Sequence, residues 1–334
     1  MRVLVTGGAG FIGSHLVDRL MARGDEVCVL DHLSTGRIEN VRHHLGRPHF
    51  TLVNDSILSR DVVNRLVESC DLVFHLAAAV GVWHIVENPL AAISVNVEGT
   101  ENILRAAFRF WRKVVIASSS EVYGKSTKAP LSEDDDRVLG PTTISRWSYS
   151  SSKAIDEHFA YAYAARGLPV AILRFFNVYG PRIHENGYGT VVARFIHQAL
   201  NGHPLTVHGD GRQTRCFCHV EDTVQGILRS SEVPEAEGQV FNIGNDAEIS
   251  MYDLALLIKN LARSDSEVRL VAYQDYYGQR FEDTPRRVPD LRKAQRVLGY
   301  RPAIALEDGL ARTIEWCREH RFVESPKGHL TVGP

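Results

Sequence analysis

The chain starts Arg2-Val3-Leu4-Val5-Thr6 and runs at once into Gly7-Gly8-Ala9-Gly10-Phe11-Ile12-Gly13. Few folds accept a short apolar run, glycines three apart and then a segment of helical spacing, Ser14 to Met21. Arg2 to Thr6 reads as a strand buried in a parallel sheet. One glycine permits the tight turn, one lets backbone approach phosphates, and one lets helix and strand pack closely. The first-turn amides of the helix then face a pyrophosphate, where the helix dipole favours negative charge. A second strand, Glu26 to Leu30, ends at Asp31. An acid there accepts hydrogen bonds from the adenosine ribose hydroxyls and repels a 2′-phosphate. The reading is NAD rather than NADP, with Gly7, Gly10, Phe11, Ile12 and Gly13 at the pyrophosphate and Asp31 at the ribose.

Further strands are expected at 51–55, 72–76, 114–117 and 171–174, so the pattern is βαβ to about residue 180. Asp55, ending its strand, is a candidate for the adenine amino group. Leu76, Ala77 and Ala78 would let the cofactor lie against backbone. The predicted fold class is α/β: a Rossmann, doubly wound parallel sheet with a smaller, interleaved C-terminal substrate domain. Residues 1–180 form the dinucleotide domain, with a return segment near 238–260 because Val240 to Gly244 looks like another sheet strand. Residues 181–237 and 261–330 form the smaller domain.

Tyr149 and Lys153 are four residues apart. In a helix over 149–166 both side chains share one face. An ammonium beside a phenol favours the phenolate and draws its pKa from about 10 towards neutrality. That makes Tyr149 a general base, while Lys153 also reaches the nicotinamide ribose. Ser118, Ser119 and Ser120 stand at the C-terminal end of the strand 114–117, where open α/β sheets hold their ligands. A hydroxyl there can hydrogen-bond the alcohol that Tyr149 deprotonates.

Thr6–Gly13, Ser118–Gly124, Tyr149–Lys153, Leu173–Pro181, Gly209-Asp210-Gly211, Arg215 and Phe241–Gly244 resemble the extended short-chain dehydrogenase/reductase family of nucleotide-sugar enzymes, over nearly the whole chain. The resemblance implies that NAD oxidises a sugar carbon and is regenerated within one cycle, on a nucleoside diphosphate sugar such as a UDP-sugar. Tyr149, Lys153 and Ser120 would be catalytic, with Ser118 on the cofactor side. Asn96 occupies the place of a site-organising Asn, or is a buried helix amide. Asn177 and Arg286 would contact the diphosphate. Glu121, an acid directly after the serines, is similar to decarboxylases and dehydratases rather than to simple 4-epimerases. Arg146, just before Tyr149, or Arg215, which matches a family Arg near the substrate, would hold the sugar carboxylate; an Arg fork suits a carboxylate or phosphate. The leading expectation is a UDP-glucuronate decarboxylase giving UDP-xylose. A 4-epimerase, a 4,6-dehydratase, a dehydrogenase that releases NADH and a non-catalytic NAD-binding module stay open. The loop Val80-Gly81-Val82-Trp83-His84 does not match the carboxylate loop of the decarboxylases. By analogy with relatives, helices near 99–110 and 150–166 would form a homodimer.

The 334 residues carry a formal net charge of −2, which gives no support to nucleic-acid or anionic-membrane partners. No apolar run reaches the roughly 20 residues of a spanning helix. The immediate first strand leaves no room for a signal peptide. Five cysteines without a ligand set argue against zinc and fit a reducing cytoplasm. The charged stretch 132–137 reads as a solvated loop.

Overall fold

The computed structural model describes residues 1–80, 89–183, 191–272 and 284–320, the Arg146 side chain excepted. In chain order, β1 (Arg2–Thr6), β2 (Glu26–Leu30), β3 (Phe50–Val53), β4 (Leu72–His75), β5 (Lys113–Ser119) and β6 (Val170–Phe175) enter one sheet. Then β7 (Val178–Tyr179), β8 (Leu205–His208), β9 (Thr214–Cys216) and β10 (Cys218–His219) leave it, and β11 (Gln239–Ile243) returns. The strand order is β11-β6-β5-β4-β1-β2-β3, and every pairing in it is parallel. The chain builds outward from β1 to β3 and then restarts on the other side of β1 with β4. This reversal opens a crevice at the C-terminal ends of β1 and β4, the place where such sheets bind ligands.

The strands are apolar throughout because both faces are covered. Val3 and Val5 face α1 (Phe11–Arg23), packing with its Leu16, Val17 and Leu20. Leu4 faces the other layer, where α2 (Arg60–Ser69), α3 (Pro89–Phe110) and α4 (Arg146–Ala164) bring Leu66, Ile103 and Ala160. The first helix stops at Gly24, whose left-handed conformation (φ 84°) lets its N–H reach the carbonyls of Leu20 and Met21.

The C-terminal region has its own core. There α5 (Val191–Leu200), α6 (Val220–Glu232), α7 (Met251–Ala262), α8 (Arg292–Leu298) and α9 (Leu306–Glu319) accompany β12 (Glu248–Ser250), β13 (Val268–Val271) and β14 (Arg286–Arg287). Phe195, Ile196, Leu254, Ile258, Leu310 and Ile314 are buried together, while α6 lies back on the main sheet through Val224 and Ile227. Small sheets β12-β9-β14 and β13-β8 complete this region.

Sequence and structure differ in three places. The strand expected at 51–55 ends at Val53, which leaves Asp55 in the following turn. The helix expected over 149–166 begins three residues earlier and ends at Ala164. The stretch 132–137 is not wholly solvated: Glu133 is buried and its Oε1 accepts the N–H of Asn242 at 2.7 Å. The cause is the edge position of β11, whose outward backbone donor needs a partner. Among the described residues no helix is long and apolar enough to cross a membrane, and all five cysteines are unpaired.

Candidate active site

Gly7 has φ +70°, and a Cβ there would lie 2.8 Å from Ala77 N. At Gly13 a Cβ would meet Gly7 O at 2.1 Å. The loop therefore closes on itself and on the end of β4 with no room for side chains. The N-cap of α1 is Gly10, without a side-chain cap, and the first turn, Phe11-Ile12-Gly13, holds no acid. Its amides are left for an external anion, so the cradle fits a pyrophosphate.

Asp31 is buried at the end of β2. Its Oδ2 accepts from Ala9 N and its Oδ1 from Leu33 N, both at 2.9 Å. The carboxylate thus ties the glycine loop to β2, and its remaining lone pairs suit ribose hydroxyls. Asp55 accepts from Ser59 Oγ at 2.6 Å and Ser56 N at 2.7 Å, and these bonds hold its carboxyl below the usual range. Leu76 N and Ala77 N donate to Thr6 O and Thr6 Oγ1. This binds the exits of β1 and β4 together, with Ala78 next in line.

Tyr149 and Lys153 lie one turn apart on α4, as their spacing requires. Tyr149 packs with Ala79 and Ala92, at the exit of β4. Lys153 is buried and its Nζ donates to Ala117 O at 3.1 Å, beside the exit of β5. Ser120 is buried in the 3₁₀ turn that follows β5. The phenol, the ammonium and the serine turn are therefore gathered at the ends of β4 and β5, next to the crevice.

Asn96 is buried in α3. Its Oδ1 accepts from Ala79 N at 2.7 Å, and its Nδ2 donates to Ala79 O and Ser152 Oγ, both at 3.1 Å. It clamps the exit of β4 to α4 and so acts on the site through its neighbours. Ser118 also turns inward: its hydroxyl donates to Glu157 Oε1 at 2.5 Å. Glu157 in turn receives Arg174 Nε at 2.9 Å and Nη2 at 2.7 Å, making Arg174 a buried structural cation. Asn177 donates from Nδ2 to Cys216 O at 2.8 Å, bracing the loop after β6 against β9. The Arg146 side chain and the segment from Gly81 to His84 lie outside the described residues.

The late arginines separate by strand alternation. In β14, Arg286 pairs with Thr214 of β9, and Arg287 pairs with Arg215. Arg286 faces outward and forms an exposed ion pair with Glu248. Arg287 and Arg215 face inward and are both buried. Arg287 Nη1 donates to Glu121 Oε1 at 2.5 Å. Its Nε and Nη2 are buried with no hydrogen-bond partner among the described residues. Of the two arginines in the segment Pro285–Asp290, the one singled out, Arg286, thus faces solvent, and the inward cation is its neighbour Arg287. The parallel reading of Thr214-Arg215 and Arg286-Arg287 as alternating strands was the signal that could have found it. Two side-by-side guanidiniums repel, and the open nitrogens of Arg287 leave donors for an anion.

Residues 4–313 match the family described as GDP-mannose 4,6 dehydratase. The chain is 42% identical to the UDP-N-acetyl-alpha-D-glucosaminuronate decarboxylase of Bacillus cytotoxicus, across 95% of this chain and 98% of that protein. It is 40% identical to UDP-glucuronic acid decarboxylase 1 of Xenopus tropicalis, across 98% of this chain and 76% of that one. Among solved structures, DesIV of Streptomyces venezuelae, a dTDP-glucose 4,6-dehydratase with NAD and TYD bound, superposes with a TM-score of 0.86 at 33% identity, covering 96% and 98% of the two chains.

Proposed function

We propose that this chain, which belongs to the extended short-chain dehydrogenase/reductase family of nucleotide-sugar epimerases and dehydratases, binds NAD and decarboxylates UDP-glucuronate to UDP-xylose. The observation that carries the reading is the inward pair Arg215 and Arg287 beside Glu121, with two buried N–H groups of Arg287 unpartnered. Such a fork suits a sugar carboxylate or a diphosphate. Relatives named for decarboxylation of UDP-uronates favour the carboxylate.

The glycine loop and Asp31 would hold NAD, which would supply the hydride acceptor and donor for C4 of the sugar. Tyr149 takes the 4-hydroxyl proton, aided by the Lys153 charge, and Ser120 orients that hydroxyl. The resulting 4-keto acid loses carbon dioxide: the C5–carboxylate bond breaks and its electron pair enters the enolate at C4. Arg287 and Arg215 hold the departing carboxylate. Glu121, held by Arg287, orients the ring or helps relay a proton from water to C5. Tyr149 gives its proton back when C4 is reduced. Residues 181–237 and 261–330 would seat the nucleotide sugar over the crevice.

A second substrate, UDP-N-acetylglucosaminuronate, is favoured by the 42% identity to a decarboxylase of that sugar. A homodimer through α3 and α4 is supported by exposed apolar side chains on both, including Leu90 (81% exposed), Ile93 and Ile155. Sedimentation analysis of wild-type and Leu90→Glu protein tests it.

The deciding experiment incubates the purified protein with NAD and, separately, each UDP-uronate, followed by mass spectrometry and absorbance of NADH. Loss of carbon dioxide without accumulating NADH is expected. An isomer of unchanged mass would mean epimerisation, and loss of water from a neutral nucleotide hexose would mean dehydration. Accumulating NADH would mean a simple dehydrogenase. NAD binding without any turnover would leave a binding module.

A further inference from the structure

The helix that carries Tyr149 and Lys153 holds a second buried ion of unexplained use. Asp156 has no exposed side-chain surface, and its Oδ2 lies 3.1 Å from Lys153 Nζ. A buried ion pair is weak evidence of added stability, because desolvation offsets the attraction. Its use has to be sought in what it does to Lys153. An ammonium has three donors. One goes to Ala117 O and one to Asp156, each at 3.1 Å, so a single N–H remains for the site.

Beside Asp156, Thr100 begins a buried chain of hydrogen bonds to the glycine loop. The Thr100 hydroxyl, near enough to the Asp156 carboxyl to favour its ionised form, lies 3.0 Å from His75 Nε2; Asp156 Oδ1 itself has no hydrogen-bond partner among the described residues. His75 Nδ1 is 2.8 Å from Thr6 Oγ1, and Thr6 Oγ1 accepts from Ala77 N at 3.2 Å. The negative charge of Asp156 favours a Thr100 proton turned towards it. Thr100 then accepts from Nε2–H of His75, and Nδ1 accepts from Thr6. Burial and the Lys153 charge push His75 down to about 3, so it carries the one proton this arrangement needs. Every dipole in the chain points at Asp156, which helps an ion that burial alone would disfavour.

We propose that Asp156 is a positioning residue: it fixes Lys153 between β5 and α4 and sets how much of the ammonium charge reaches Tyr149, and the Thr6–His75–Thr100 chain links that setting to the NAD loop. This rests on the role of Tyr149 and Lys153 given above. The charged or titratable groups around Asp156 are Lys153 and Glu157 on its own helix and His75 on β4, behind Thr100 of α3. Glu157 is already neutralised by Arg174. Asp156 therefore opposes the pull of Lys153 on the phenolate.

The sign of the test follows. Asp156→Asn removes the opposing charge, so the phenolate forms at lower pH. The acid limb of kcat/KM is expected to move down by about one pH unit, with substrate KM within about twofold. Thr100→Val weakens the support of the Asp156 charge and moves the limb the same way by less. Asp156→Ala also frees the ammonium, and kcat is expected to fall on the order of ten- to a hundredfold. The limb shift is read independently of turnover by ultraviolet difference titration of the tyrosinate, with Tyr149→Phe subtracting the other tyrosines. Tyr149→Phe and Lys153→Met run in parallel. If these two keep wild-type turnover, the site reading itself fails. If they lose turnover while Asp156→Asn and Thr100→Val keep the wild-type pH profile and titration, the role of Asp156 is overturned. Should Asp156→Asn not fold, as judged by circular dichroism, Thr100→Val decides.

Discussion

Arg287 Nη1 and Glu121 Oε1 lie 2.5 Å apart, although 166 residues separate them along the chain. The contact fastens β14 of the C-terminal region over the serine turn that ends β5. Because β14 runs beside β9 in register, it also sets Arg215 next to Arg287. One contact thereby assembles an acid and two cations from three distant segments.

The paired arginines of β14 should behave oppositely. Arg287→Ala removes the buried guanidinium that meets Glu121, together with its two open nitrogens, so kcat/KM on the UDP-uronate should fall by about 2–5 kcal/mol of transition-state stabilisation. Arg286→Ala, on the exposed pair with Glu248, should change it less than about twofold. Steady-state kinetics on both variants, with NAD saturating, compares them. Equal losses would sink the assignment of faces.

Tyr149→Phe should lower turnover on the order of 10²–10⁴-fold while NAD affinity, measured by fluorescence titration, stays near wild type. Comparable turnover in the two proteins would remove the phenol from the mechanism.

Two glycines distinguish binding from stability. Gly13→Ala puts a methyl 2.1 Å from Gly7 O, so the loop must open, and NAD affinity should drop by at least about tenfold. Gly24→Ala meets no atom within 4 Å, but must hold φ +84°. It should cost about 1–2 kcal/mol of unfolding free energy and leave NAD affinity unchanged. Calorimetry and denaturant titration separate the two.

Glu157→Ala strands the buried guanidinium of Arg174, which otherwise has both carboxylate oxygens. A loss of about 3–5 kcal/mol is expected in denaturant unfolding. Ser118→Ala, which removes only one donor to Glu157, should cost about 1 kcal/mol. A Glu157→Ala protein as stable as wild type would contradict the pairing.

Asp18 carries a pH prediction. Burial pushes its carboxyl up, but Arg182, His44 and His43 together bring it below its ordinary value. Its folded pKa is thus lower than its unfolded one, near 4. The stabilisation is complete above the unfolded value and is lost as pH falls through the folded one. Asp18→Asn should lower stability at pH 6 and flatten the acid-side decline, as read from melting temperature against pH.

The sheet strands and the glycine loop were legible because their signals are short in range. Val3, Leu4 and Val5 are apolar on both faces of a covered strand, and Gly10 and Gly13 answer steric demands from their own loop, while Gly7 answers one from the end of β4. Tyr149 and Lys153 share a face because four residues make one helical turn. Asp55 was placed in a strand because its run is apolar up to it, yet pairing with β2 ends at Val53. Glu133 was read as solvated because its neighbours are charged, yet the edge of β11 claimed it. Arg287 looked no different from Arg286 in a basic turn.

By itself the sequence determined a dinucleotide cradle, a parallel sheet and a tyrosine–lysine turn, since each depends on residues within one strand, loop or helix. Tertiary structure alone decided that Arg287 rather than Arg286 meets Glu121, that Ser118 turns towards Glu157, and that Asp156 holds Lys153 beside a chain from Thr6 to Thr100. Those choices depend on strand register and on which buried groups need partners. Both are settled between segments far apart in the chain, where no local spacing records them.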